Sequence, residues 1–155
     1  MDPMSSNFYP IISAILANVL AQLLKPLFYY LTTGEKDLSS IFESGGFPSS
    51  HTSLVVGLTM SYGYLSGFQS QYFFISLVFS LTVIYDAANV RYYAGQNIKM
   101  TKQLIQDIEI LTQTTLENPV YREKIKDVLG HKWVEVIGGF LLGLITASVL
   151  YFFQG

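Results

Sequence analysis

Two histidines stand where a proton or a phosphoryl group can be handled. His51 lies in Gly45-Gly46-Phe47-Pro48-Ser49-Ser50-His51-Thr52. The two glycines let a backbone come close to a ligand. Pro48 followed by Ser49 and Ser50 reads as a helix start. Unpaired N–H groups of a first helical turn, aligned with the helix dipole, attract an anion, and His51 in that turn can exchange a proton with it. His131 lies in Gly130-His131-Lys132-Trp133-Val134-Glu135. Glu135, four residues on, shares its helix face and can fix the imidazole tautomer and support its charged form. In Tyr85-Asp86-Ala87-Ala88-Asn89-Val90-Arg91, the guanidinium is a planar fork suited to phosphate oxygens, and Asp86 can pair with it or with another cation. Lys25 precedes Pro26 inside an apolar run. Each feature also has a plainer reading: a capped helix with an interfacial histidine, an i,i+4 pair, an arginine among headgroups, a lysine snorkelling from a kinked helix.

Together, two imidazoles, a carboxylate, cations and a helix N-terminus suit phosphoryl transfer. One imidazole attacks phosphorus and the other protonates the leaving alkoxide; spacing alone leaves open which does which. Cations and backbone donors hold the charge on the equatorial oxygens. This chemistry needs no metal and no cofactor, and no HExxH pattern is present. The absence of cysteine excludes disulfides, thiol chemistry and cysteine-based zinc sites.

The elements that must carry these groups are set by a chain of 155 residues, half of them hydrophobic and 13% charged. Ordinary soluble domains carry roughly 25% charged residues, so the deficit points to a bilayer. The length suits a single domain. A net charge of −2 and the lack of a basic stripe argue against nucleic acid. Four stretches approach the length of about 20 apolar residues that a span needs: residues 8–31, 50–68, 72–92 and 133–153. Between the last two lies a polar insert, about 95–130, whose apolar spacing predicts a helical hairpin broken at Asn118-Pro119. The expected fold is therefore an all-α integral membrane bundle with about four membrane segments and a cytoplasmic hairpin. The second segment is short enough that re-entry competes with spanning.

If all four span, the loop 32–48 and the insert share one side. That side holds Lys36, Lys99, Lys102, Arg122, Lys124, Lys126 and Lys132, and the opposite side holds no lysine or arginine. Such asymmetry predicts that the loop side faces the cytoplasm in a multi-pass protein of the cell membrane. Lys25, His51, Asp86, Arg91, His131 and Glu135 fall at that same face. Ionisable groups at membrane depth are costly and mark functional sites by default. Trp133, Tyr92 and Tyr93 read as an interfacial aromatic belt.

At these residues the sequence resembles a known family. Gly-Gly-Phe-Pro-Ser-Ser-His, Tyr-Asp-Ala-x-x-Val-Arg-x-x-Ala-Gly-Gln and Leu-Gly-His-x-x-x-Glu-Val are similar to blocks of the divergent branch of type-2 phosphatidic acid phosphatases, a branch related to acid phosphatases and vanadium-dependent haloperoxidases. The resemblance covers nearly the whole chain. It implies a helical phosphatase with a phosphohistidine intermediate: His131 as nucleophile, Glu135 as its orienter, His51 as general acid, and Ser49 helping to hold phosphate. Ser50 stands where the wider superfamily has glycine, and Glu135 where it has aspartate. The superfamily's Arg-Pro and Ser-Arg elements have no counterpart at the expected places; Lys25 and Arg91 are the nearest candidates, and Ser50 and Asp86 complete the candidate substrate-binding set. The implied substrate is a lipid phosphate, met among membrane lipids. Two rival readings follow. One is a non-catalytic phospholipid-binding or lipid-moving protein with a relic phosphate site. The other is a structural partner subunit or homo-oligomer, joined through the small residues Gly138, Gly139, Gly143 and Ala147.

Overall fold

The computed structural model describes residues 3–42, 45–115 and 133–154. Its elements are α1 (Pro3–Thr33), a 3₁₀ turn (Leu38–Phe42), α2 (Ser50–Ser66), α3 (Gln71–Tyr85), a π-turn (Asp86–Val90), α4 (Arg91–Thr112) and α5 (Trp133–Gln154). No strand occurs among the described residues.

The helix ends follow from local chemistry. Gly34, at φ +77°, closes α1 with its N–H on the Tyr30 carbonyl at 2.8 Å, a left-handed cap that glycine adopts without strain. Asp37 caps the 3₁₀ turn: the Ser39 N–H and hydroxyl donate to Oδ1 at 2.8 and 2.6 Å. Those two bonds, the side-chain one first, hold the Asp37 carboxyl below the usual carboxylate range. Ser49 and Ser70 cap α2 and α3 by accepting from the N–H of Thr52 and Phe73.

The interior is the reverse of a soluble core. Ser13, Ala14, Ala17, Ala21, Ser53, Ser61 and Ala147 are buried, while Ile11, Ile15, Leu23, Ile75, Val78, Phe79, Ile137 and Ile145 are exposed. Large apolar side chains turned outward suit lipid, and small or hydroxyl residues inside let backbones approach. Three helical stretches are long and apolar enough to cross a membrane: Phe8–Thr33, Gln71–Thr112 and Trp133–Phe153. The fold is thus an all-α membrane bundle.

The second expected segment is not among those three. At 17 residues, α2 is about 26 Å long, a little under the hydrocarbon thickness of roughly 30 Å. It nevertheless runs the length of the bundle, packed on α1, α3 and α5. The Asn18 amide donates to the Ser50 carbonyl, Ser13 to that of Gly57, and Thr59 shares a 2.7 Å bond with Ser80. Tyr64 at the far end of α2 bonds Ser148. These pairings make α1 and α3 antiparallel to α2, and α5 parallel to it. One end of the bundle therefore gathers the C-terminus of α1, the start of α2, the end of α3 and the start of α5. The other end is closed by aromatic contacts among Tyr9, Tyr64, Phe68 and Tyr151.

Two sequence expectations need correcting. The sequence reading ends one segment near residue 92 and begins a polar insert near 95. Instead the helix continues from Gln71 to Thr112. The π-turn at Asp86–Val90 takes up the change of register, and the polar residues after Arg91 are mostly good helix formers. The second arm of the expected hairpin lies outside the described residues. The small-residue face of α5 is also used within the chain. A Cβ placed on Gly139 would meet the Ser49 carbonyl oxygen, and one on Gly143 that of Ser53, so these glycines seat α5 against α2 rather than against another subunit.

Candidate functional site

The starts of α2 and α5 lie side by side because their backbones touch. The Ser49 N–H donates to the Glu135 carbonyl at 2.9 Å. Ser49 itself is fully buried, and its Oγ accepts from the Thr52 N–H at 3.3 Å and from the Thr52 hydroxyl at 3.0 Å. The N-terminus of α2, the positive end of its dipole, thus meets the first described turn of α5.

Beside them lies a cavity of about 320 Å³. Lys25, Phe28, Tyr29 and Thr32 line it from α1. Ser40, Gly45, Gly46 and Phe47 line it from the connection to α2, and Glu135 lines it from α5. Lys25 is only 2% exposed, so it does not snorkel away from the bundle as a lipid-facing lysine would. Gly46, at φ +95°, runs along its stem; a Cβ there would sit 3.8 Å from Lys25 Cδ. The rings of Phe28 and Phe47 meet edge to face with centroids 4.5 Å apart, and Phe47 is pressed against Gly138, which has no room for a Cβ.

The predicted residues divide among several places. Lys25 and Glu135 share the cavity, with the Gly45–Gly46 pair as a wall. Ser49 caps α2 at its edge. Ser50 is 1% exposed, and its Oγ has no hydrogen-bond partner among the described residues. His51 is half-buried in the first turn of α2. Asp86 is half-buried in the π-turn and is not part of the cavity lining. His131 lies outside the described residues, as does the side chain of Arg91. Among the described residues no three histidine, aspartate or glutamate side chains gather as a metal would require.

Sequence reasoning passed over Phe28, Tyr29, Thr32, Ser40 and Phe47 as walls. Helical spacing held the signal for three of them: Phe28, Tyr29 and Thr32 lie three, four and seven residues after Lys25, on its own face. Ser40 carries no such signal, because only the folding of the 3₁₀ turn against α1 brings it there.

Comparison with known proteins agrees with this architecture. The profile of the divergent PAP2 family matches residues 6–146. The membrane protein YuiD of Bacillus subtilis (strain 168), described as uncharacterized, is 30% identical over 152 residues, covering 94% of this chain and 96% of that protein. No solved structure matches the chain.

Proposed function

The chain belongs to the divergent PAP2 family, and from that premise we propose that it is a metal-independent lipid phosphate phosphatase working at the cytoplasmic face of the cell membrane. In this reading the His131 imidazole attacks phosphorus as the bond from phosphorus to the lipid oxygen breaks. His51 gives its proton to the departing alkoxide, and water then hydrolyses the phosphohistidine. Glu135 orients His131. Lys25, Arg91 and the start of α2, with Ser49 and Ser50, hold the phosphate oxygens, and Asp86 steadies one of the cations. The observation that carries the reading is the buried lysine sharing a cavity with Glu135 beside the N-terminus of α2. A cation drawn out of water at that point supports an anionic ligand.

Phosphate release from lipid phosphates in EDTA tests it, with purified wild type beside His131→Ala and His51→Ala. The expected loss in each variant is at least about 100-fold, the usual scale for removing a positioned acid, base or nucleophile. Equal release by all three on every lipid phosphate would overturn the catalytic reading. One observation favours a second reading, a lipid-binding protein with a relic site: the Ser49 N–H and Oγ lone pairs are engaged in seating α5 and capping α2. That reading expects phosphate binding without turnover, and unchanged binding in His131→Gln.

A further inference from the structure

The bonds that α2 makes fix where its neighbours stand around it. Ser50 and Gly57 mark the α1 side, since their carbonyls accept from the Asn18 amide and the Ser13 hydroxyl. Val55 and Thr59 mark the α3 side, since both bond the Ser80 hydroxyl. Ser49 and Ser53, whose carbonyls face Gly139 and Gly143, mark the α5 side. At 3.6 residues per turn, His51, Leu54, Leu58 and Leu65 fall between the α1 and α3 sides. All four are part-exposed, whereas Thr52, Val56 and Gly63, between the α3 and α5 sides, are buried. α1 and α3 each pack along α2 and do not pack along each other. Between them runs a groove that is open to the surroundings of the bundle, with α2 as its floor.

The groove has a polar end and an apolar run. His51 begins its floor, and Leu54, Leu58 and Leu65 continue it. From Leu54 to Leu65 is about 16 Å of helix, close to half of the roughly 30 Å of hydrocarbon in a bilayer, which is the depth of one leaflet. At the polar end α1 brings Asn18 and, one turn on, Gln22, whose buried Oε1 has no hydrogen-bond partner among the described residues. Tyr29, seven residues after Gln22 on the same helix face, is a wall of the Lys25 cavity, so groove and cavity adjoin along α1. Resting on the phosphatase reading for the phosphate end, we propose that this groove seats one acyl chain of the lipid phosphate, which enters sideways from the bilayer. The phosphate lies at the His51 end, and the chain lies along Leu54, Leu58 and Leu65. The Gln22 amide, which can accept from a hydroxyl or turn to donate to an ester oxygen, stands beside the first carbons of the chain. The uncovered strip is one side chain wide, which suits a chain and not a helix, since helix packing engages ridges and grooves across a broader face. An apolar floor one leaflet deep lets the head reach the site while the chain stays in hydrocarbon.

Tryptophan quenching by brominated lipid in nanodiscs tests this without any turnover. The chain's one tryptophan is removed by Trp133→Phe. A reporter is then placed in the groove by Leu58→Trp, or on the exposed outer face of α3 by Val78→Trp. The probes are phosphatidate and phosphatidylcholine with the same brominated chain, each at a low fraction among unbrominated phosphatidylcholine. At Leu58→Trp, phosphatidate is expected to quench at least about threefold more than phosphatidylcholine, and at Val78→Trp the two quench alike. The same ratio at both positions overturns the proposal, since the groove then holds bulk bilayer lipid only. So does a Leu58→Trp reporter shielded from both probes while Val78→Trp is quenched, because another helix then fills the groove. Bromines near the head group are expected to quench Leu54→Trp best, and bromines near the chain end Leu65→Trp; the reverse order overturns the placement. Should Leu58→Trp fail to fold, Leu54→Trp takes its place as the groove reporter. Selective quenching without phosphate release removes the phosphatase reading alone. Release without selective quenching removes this proposal alone.

Discussion

Lys25 was legible in the sequence as an ionisable group in an apolar run, but its destination was not, because lysines near helix ends ordinarily reach for water. Around it lie the Gly46 backbone along its stem and a carboxylate on another helix lining the same cavity. Removing one member of such a set leaves the other charge in a low-dielectric place, which costs more than the set contributes. Lys25→Met and Glu135→Gln are therefore each expected to lower the thermal unfolding temperature. The double variant should lose less than the sum of the two. The expected coupling lies within the range of about 0.5–3 kcal/mol found for residues sharing one network. A double-mutant cycle by thermal unfolding in detergent measures it, and strict additivity would show that the two charges do not sense each other. Phosphate release in the double variant stays low even where stability returns, because the cation is gone.

At the scale of elements, the cavity depends on how closely α5 approaches α2. Gly139 and Gly143 face the carbonyl oxygens of Ser49 and Ser53, and these are backbone atoms that cannot swing aside. Gly139→Ala and Gly143→Ala are each expected to destabilise by about 1–3 kcal/mol, the scale of overpacking, seen as a lowered unfolding temperature. Gly57→Ala meets the Ala17 Cβ and the Ser13 carbonyl at 3.2 Å and should cost less. The order Gly139 and Gly143 above Gly57 is the check; a reversed order would mean that α2 is seated by α1 and not by α5. The small residues of α5 were visible in the sequence. Their partner was not, because a small-residue face reads the same whether it meets another helix of its own chain or of a second copy. The passage from α3 to α4 was hidden for a different reason. A polar residue run after an apolar one resembles the end of a span, and nothing in Asp86–Val90 announces a π-turn. Phe28 and Tyr29 were hidden as walls because an aromatic residue in an apolar helix reads the same whether it faces lipid or a cavity.

For the whole molecule, the helix directions put Lys25, the start of α2 and the start of α5 at one end of the bundle, the end from which the 3₁₀ turn and α4 also project. The basic residues of the chain outside Lys25 and Arg91 all belong to the connections on that side. Orientation by positive charge then predicts that this end faces the cytoplasm. Helix length adds an independent constraint. The stretch Gln71–Thr112 has 42 residues, about 63 Å of helix, twice the roughly 30 Å of hydrocarbon that a span crosses, which predicts that its α4 half lies beyond the hydrocarbon on the same side as the cavity. Because the chain has no cysteine, single replacements report without background. Ser39→Cys in the 3₁₀ turn and Thr112→Cys at the end of α4 should react with a membrane-impermeant maleimide only after the cells are opened. Gln69→Cys, in the turn between α2 and α3, should react in intact cells. Labelling of Ser39→Cys and Gln69→Cys from the same side would mean that α2 re-enters, and labelling of Ser39→Cys in intact cells would put the cavity on the outer face. The second result would remove the cytoplasmic lipid phosphate from the proposal, whatever the cavity binds.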